Sequence, residues 1–314
     1  MRLAVIDCGT NTFNLLIIDV ENGTNFKSVY KNRISVKLGE GAINQGFISP
    51  LAFQRALEAI RAFKFLIKEH FTEKVLAFAT SAIRDASNGN ELVKKVKDEF
   101  DISLTVIDGE READLIFLGV KEAVKLNETI SLIMDIGGGS TELILANNKK
   151  VYWKGSFRIG AARLLDKFLP SNPIADTEIN NIHAYIEEQL AAFFEIINLY
   201  PPVELIGSSG AFDSLIEMIN GELNGEPLLD EKTSYEINLD HYNQISEMVR
   251  SSTFEGRKRI KGLIPIRFDM IVISCLMVDL ILNRAKLNKL RVSIYSLKEG
   301  ALIDFIASHP SKHM

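Results

Sequence analysis

The sequence predicts an α/β fold built from one unit that occurs twice, and three observations carry that expectation. Two segments, beginning at Leu3 and at Ile130, each read as three strands followed by alternating helices and strands. Each segment opens with an aspartate at a strand end that leads into a tight Gly/Ser/Thr turn. The chain has 314 residues, 46% hydrophobic and 25% charged, which is the size and composition of a two-domain globular protein rather than a fibrous or disordered one.

In the first half, Leu3–Asp7 and Phe13–Val20 are apolar strands around Cys8-Gly9-Thr10-Asn11-Thr12, and Phe26–Val36 is a third strand. Ser49-Pro50 supplies an N-cap followed by proline at the first helical position. The helix behind it carries Phe53, Leu57, Ile60, Phe63 and Ile67 at a 3.6-residue period. Val75–Thr80 is a strand, 90–100 a helix, Leu104–Ile107 a strand and 111–126 a helix. The second half repeats the pattern. Ile130–Asp135 and Glu142–Ala146 are strands around Ile136-Gly137-Gly138-Gly139-Ser140-Thr141, and Val151–Phe157 is the third. Helices follow at 160–169 and 176–198, then a strand at Val203–Gly207 and helices at 210–219 and 269–286. Arg291–Ile294 is the last strand and Leu297–Ile306 the last helix. The expected lobes are 1–125 and 126–297, with a C-terminal helix at about 298–314 packing back on the first.

Composition excludes several classes. No apolar run reaches the ~18 residues of a membrane span, and Asp7 interrupts the apolar N-terminus, which argues against a signal peptide. Two cysteines, Cys8 and Cys275, make neither a disulfide framework nor zinc-ligand spacing, so a cytoplasmic location is expected. The formal charge of −5 is unevenly spread. Residues 171–255 hold 16 acids against Lys232 and Arg250, a net −14, which leaves +9 on the other 229 residues. That basic remainder can attract an anion that the total charge would repel.

The two turns carry the chemistry. Glycine lets backbone N–H groups approach an anion with no Cβ in the way, hydroxyls and Asn11 add donors, and a leading aspartate can hold a metal or its water shell. Taken singly, either turn is also what a hairpin rich in turn formers looks like. Their equivalent positions in a repeated unit favour a phosphate cleft with Gly9, Thr10, Asn11 and Thr12 on one side and Gly137, Gly138, Gly139, Ser140 and Thr141 on the other. Gly207-Ser208-Ser209-Gly210 precedes a helix, whose N-terminus favours anions. Basic stretches at 147–167 and 256–267 suit an extended anion, although charge runs of this kind are usually solvated faces. Cys8, with no histidine near it in sequence, is expected in the core rather than as a nucleophile.

The paired Asp-x-Gly turns resemble those of the actin-like ATPase and sugar kinase superfamily. Within it, the chain resembles the exopolyphosphatase/guanosine pentaphosphatase (Ppx/GppA) family. The matching stretches are Asp7–Thr12, Ala79-Thr-Ser-Ala-Ile-Arg84, Glu112-Ala-Asp-Leu-Ile-Phe-Leu-Gly-Val120 and Asp135–Glu142. Shorter matches follow at Ile159–Leu164, Gly207–Gly210 and Leu297–Gly300. The resemblance implies two duplicated actin-like (ribonuclease H-like) lobes with the phosphate-binding cleft between them. It implies hydrolysis of terminal phosphate from inorganic polyphosphate, with Glu112 orienting the attacking water and Arg84 contacting phosphate. Asp135 and Glu142, joined by Asp7, would lie around a magnesium ion or its waters, with a monovalent cation admitted as a second ion. Lys298 is a further phosphate-binding candidate. The resemblance also implies a homodimer, and neither nucleic acid nor a membrane is expected as a partner.

Guanosine pentaphosphate is the alternative substrate, and a non-catalytic polyphosphate or alarmone sensor is the alternative class. Asp114 stands where the family has arginine, Arg111 where it often has glutamate, and Ile294-Tyr295 where it has an acid and a glycine. These departures bear on activity and substrate choice.

Overall fold

The computed structural model describes residues 1–21, 26–225 and 232–309. The chain divides into two compact units, each described by itself: Met1–Gly119 with the segment from Leu297 on, and Val120–Ser296.

The first unit runs β1 (Arg2–Cys8), β2 (Thr12–Val20), β3 (Phe26–Ser35), α1 (Pro50–Glu69), β4 (Lys74–Ala79), α2 (Ser81–Arg84), α3 (Gly89–Phe100), β5 (Leu104–Val106) and α4 (Gly109–Ala123). Its sheet has the order β3-β2-β1-β4-β5. The two hairpin pairs are antiparallel, whereas β1–β4 and β4–β5 are parallel. Helix α1 starts as the sequence implies: Ser49 accepts from the Ala52 amide and Pro50 takes the first helical position. The stripe it buries, Ala52, Ala56, Ala59, Ile60, Phe63 and Ile67, is richer in alanine than expected, while Phe53 and Leu57 pack half-buried at the margin. Small side chains let this helix pack close on β2, in a core shared with Ile6, Cys8, Phe13 and Leu15.

The second unit runs β6 (Ser131–Ile136), β7 (Thr141–Ala146), β8 (Val151–Phe157), α5 (Ala161–Phe168), α6 (Asp176–Gln189), α7 (Ala191–Leu199), β9 (Leu205–Ser208), α8 (Gly210–Ile219), β10 (Ser234–Ile237), α9 (Leu239–Ser251), α10 (Phe254–Arg257), α11 (Ile271–Arg284) and β11 (Leu290–Ser293). Read from β8, its sheet is β8-β7-β6-β9-β11 with β10 added antiparallel at the edge. The first five strands repeat the order of the first unit, so the duplication is topological: each unit is an actin-like, ribonuclease H-like sheet. Helix α11 is buried on nearly every side, which explains a sequence that is apolar apart from Ser274, Asp279 and its last two residues. A last helix, α12 (Leu297–Ser308), groups with the first unit and packs on β1.

Two elements differ from expectation. The helix expected over 176–198 is two helices, because the backbone at Leu190 leaves the helical region while its side chain stays buried; no glycine or proline marks the break. The acid-rich stretch after 220 holds β10 and α9, whose buried Tyr242, Ile245 and Val249 are masked in sequence by the surrounding charge. Of the C-terminal helix expected at about 298–314, residues 310–314 lie outside the described residues. Among the described residues, no helix is long and apolar enough to cross a membrane.

Candidate functional site

The two turns have the same construction. In the first, the Gly9 amide donates to the Thr12 carbonyl (3.1 Å); in the second, the Gly137 amide donates to the Ser140 carbonyl (3.0 Å). In both, further carbonyls of the turn accept from a neighbouring segment. Val36 and Lys37 donate to the Asn11 carbonyl and Leu38 to that of Thr10. In the second unit, Ala161 donates to the Gly137 carbonyl, Ala162 and Arg163 to Gly138, and the Arg163 Nε to Gly139. Gly160 makes this approach possible, since a Cβ there would lie 2.4 Å from the Gly138 carbonyl. With the carbonyls neutralised, no hydrogen bond among the described residues uses the Gly138 or Gly139 amide. The turn therefore offers N–H donors, the arrangement of an anion-binding nest. The hydroxyls differ in use: Thr141 donates to the Ile159 carbonyl and is fully buried, as a brace for the turn.

Beyond the second turn, Asp135 and Glu142 face each other across the β6–β7 pair at 6% and 1% exposure. Directly opposed residues bring their Cβ atoms to about 5 Å. Glu142 accepts from the Ser156 hydroxyl (2.6 Å). Two buried carboxylates side by side lose hydration and repel, costs that a divalent cation offsets. Among the described residues, no group of three or more His, Cys, Asp or Glu side chains is gathered for a metal. The pair fits an ion of the magnesium kind, which takes one or two carboxylates and fills its shell with water and phosphate oxygens.

In the first unit, the strand register puts Asn14 opposite Asp7, where the second unit has Glu142 opposite Asp135. Asn14 donates to Asp7 (3.1 Å) and accepts from the Arg33 Nε (3.3 Å). Burial pushes the Asp7 carboxyl above the usual aspartate range, and Glu299 adds to this, while Lys298, the bond from Asn14 and Arg33 pull it down. Lys298 and Glu299 open α12. Burial and the Asp7 charge raise the Cys8 thiol well above its ordinary value, which suits a core residue.

Arg84, at the end of α2, donates through one nitrogen to both the Ile107 carbonyl (3.0 Å) and Glu112 (2.9 Å). Glu112 lies in the first turn of α4 and is 7% exposed. The arginine expected on phosphate is thus also the partner that fixes the carboxylate expected to handle water. Arg111 pairs with Asp304 of α12.

The 207–210 loop joins β9 to α8 beside the second turn. Asp135 and Ser208 are register partners, and the Ser209 hydroxyl donates to the Ile136 carbonyl (3.3 Å). Ser209 has φ 72° and ψ −177°, a region that glycine normally occupies, so strain is stored at this loop. Ser208 is fully buried and donates to the Tyr295 carbonyl. A Cβ at Gly210 would collide with the Arg267 guanidinium, which places Arg267 over the loop.

The basic stretches are not single faces. Arg163 braces the glycine turn, Arg257 is buried on the Phe268 and Ser252 carbonyls, and Lys149 pairs with Glu128. Sequence reading missed Asn14, Arg33 and the 36–38 strap; the repeat alignment of Asn14 with Glu142 was the available signal for the first.

A duplicated ribonuclease H-like sheet with a glycine-containing turn of the same construction on each unit, amide-donating in the second, defines a class of phosphate-handling proteins. The chain matches the Ppx/GppA phosphatase family over residues 16–309, and it belongs to that family. It is 33% identical over 280 residues to a bifunctional 3-dehydroquinate synthase/phosphatase of Fusobacterium nucleatum, covering 86% of this chain but only 41% of that protein. It is 27% identical to exopolyphosphatase 2 of Mycobacterium tuberculosis, covering 95% of this chain and 97% of the relative. The crystal structure of an exopolyphosphatase from Cytophaga hutchinsonii superposes with a TM-score of 0.95 at 40% identity over 98% of each chain.

Proposed function

We propose that the protein is an exopolyphosphatase that removes terminal phosphate from inorganic polyphosphate. The observation that carries this reading is the second turn, whose carbonyls are consumed by the start of α5 while the Gly138 and Gly139 amides remain as donors. Such donors stabilise charge on phosphate oxygens without reorganising.

Glu112, held by Arg84, orients a water molecule and accepts its proton. The water oxygen attacks the terminal phosphorus, the anhydride P–O bond breaks, and orthophosphate leaves the shortened chain. Arg84 serves the carboxylate and the phosphate together, which suits the several donors of a guanidinium. Gly9–Thr12 and Gly207–Gly210 are further phosphate-binding assignments, and Lys298 adds a cation near Asp7. A divalent cation, magnesium in this reading, would be held by Asp135 and Glu142 and would offset charge on the phosphate oxygens. Asp7 would act on its water shell. The homodimer and the monovalent cation are carried over from the family resemblance. Two buried free thiols, Cys8 and Cys275, are compatible with a reducing cytoplasm.

The test is Glu112→Gln. Phosphate release from long polyphosphate should fall about 10²–10⁴-fold with the fold intact. Undiminished turnover would remove Glu112 from the reaction.

A further inference from the structure

We infer that Asn14 is a positioning residue: it holds the Asp7 carboxylate in place and keeps its row of the first sheet neutral, so that the carboxylate pair that takes a divalent cation belongs to the second unit alone. This rests on the proposed roles of Asp7 and of the Asp135–Glu142 pair.

The two sheets carry equivalent rows of side chains. In the first, Asp7 on β1 lies opposite Asn14 on β2, and Asn14 lies opposite Arg33 on β3. In the second, Asp135 on β6 lies opposite Glu142 on β7, and Glu142 lies opposite Ser156 on β8. Each row begins with the aspartate that leads into its turn, but the members beside it have diverged. Glu142 accepts from the Ser156 hydroxyl (2.6 Å), whereas Asn14 donates to Asp7 (3.1 Å) and accepts from the Arg33 Nε (3.3 Å). Counted formally, Asp135, Glu142 and Ser156 carry −2, and Asp7, Asn14 and Arg33 carry zero.

The chemistry explains why the middle residue is an amide. A carboxylate only accepts and a guanidinium only donates, so a side chain that bridges them must do both. Asparagine does so at this length; aspartate would repel Asp7, and an aliphatic side chain would bond to neither. The same requirement fixes which way the amide faces. Pairing of β1 with β2 on one side and β4 on the other sets the Asp7 backbone, which leaves the side-chain torsions to be settled. Among the described residues, the bond from Asn14 is the hydrogen bond that settles them. A magnesium-like ion takes one or two carboxylates. The first row offers a single carboxylate with a guanidinium linked behind it, and a dication placed there would be repelled by Arg33.

The test compares Asn14→Leu, Asn14→Thr, Asn14→Asp and Asp7→Asn with the wild-type protein by calorimetric titration of Mn2+, by polyphosphate kinetics and by thermal unfolding. Asn14→Leu has nearly the same size and no polar atom. It should lower kcat about 10-fold, as loss of a charge-assisted hydrogen bond does, with the polyphosphate KM retained and one Mn2+ bound per chain as in the wild type. Asn14→Thr, whose hydroxyl both donates and accepts, should recover part of kcat. Asn14→Asp creates a carboxylate pair like that of the second unit and should bind a second Mn2+ ion. Wild-type kcat in Asn14→Leu, two Mn2+ ions in the wild-type protein, or a single ion in Asn14→Asp would each overturn the inference. Should Asn14→Leu unfold, the Mn2+ count in Asn14→Asp decides alone. Undiminished turnover in Asp7→Asn would instead overturn the role of Asp7 on which the inference stands.

Discussion

Asp7 lies near the end of β1 among charges of both signs, and the consequence is a trade between stability and function. Its carboxyl is raised chiefly by burial, so the folded protein holds that proton more tightly than the unfolded chain does. Between the ordinary aspartate value of about 3.9 and the raised one, stability contributed by this group therefore falls as pH rises, and above both the full cost remains. Asp7→Asn keeps an acceptor for Asn14 and cannot ionise. It should raise Tm at neutral pH, lose the advantage below about pH 4, and reduce phosphate release. A lower Tm at neutral pH, or the same difference at both pH values, would contradict this account of Asp7. At this scale much was legible: Asp7, Asp135, Glu142 and the glycines stand out by type and spacing. Asn14 did not, because an amide carries no signal until strand register gives it a position.

Among elements, the second sheet is tied at one end by Glu204, just before β9. This carboxylate is 2% exposed, accepts from the Ser131 hydroxyl of β6 (2.7 Å) and from the Arg291 Nε of β11 (2.9 Å), and lies 3.8 Å from Lys289. Removing one partner of a buried ion pair strands the other's charge. Glu204→Ala should therefore destabilise the protein by about 3–5 kcal/mol, measured by denaturant unfolding. A loss under about 1 kcal/mol would mean that the pair behaves like an exposed one. The strand–turn–strand pattern that builds each sheet was readable because apolar runs and turn residues are local. The carbonyl cover on each turn was not, because Val36–Leu38 and Gly160–Arg163 reach the turns only through the tertiary fold. The same holds for Leu190, where a helix breaks without a breaker residue.

For the whole molecule, a total charge of −5 conceals a division: both turns, Arg84 and Glu112 belong to the portion of sequence carrying +9, and the acid excess lies in 171–255. The duplication was visible in sequence through the paired Asp-x-Gly turns, and the two sheet orders repeat it strand for strand. The acid-rich segment was opaque because charge density hides the buried stripe of α9. The central claim is that this chain hydrolyses polyphosphate with metal assistance. It is tested most directly by measuring orthophosphate release from long-chain polyphosphate and, side by side, from guanosine pentaphosphate, each with and without magnesium. Magnesium-dependent release from polyphosphate that exceeds release from guanosine pentaphosphate is the predicted result. Release confined to guanosine pentaphosphate, or tight polyphosphate binding with no turnover under any metal, would contradict it.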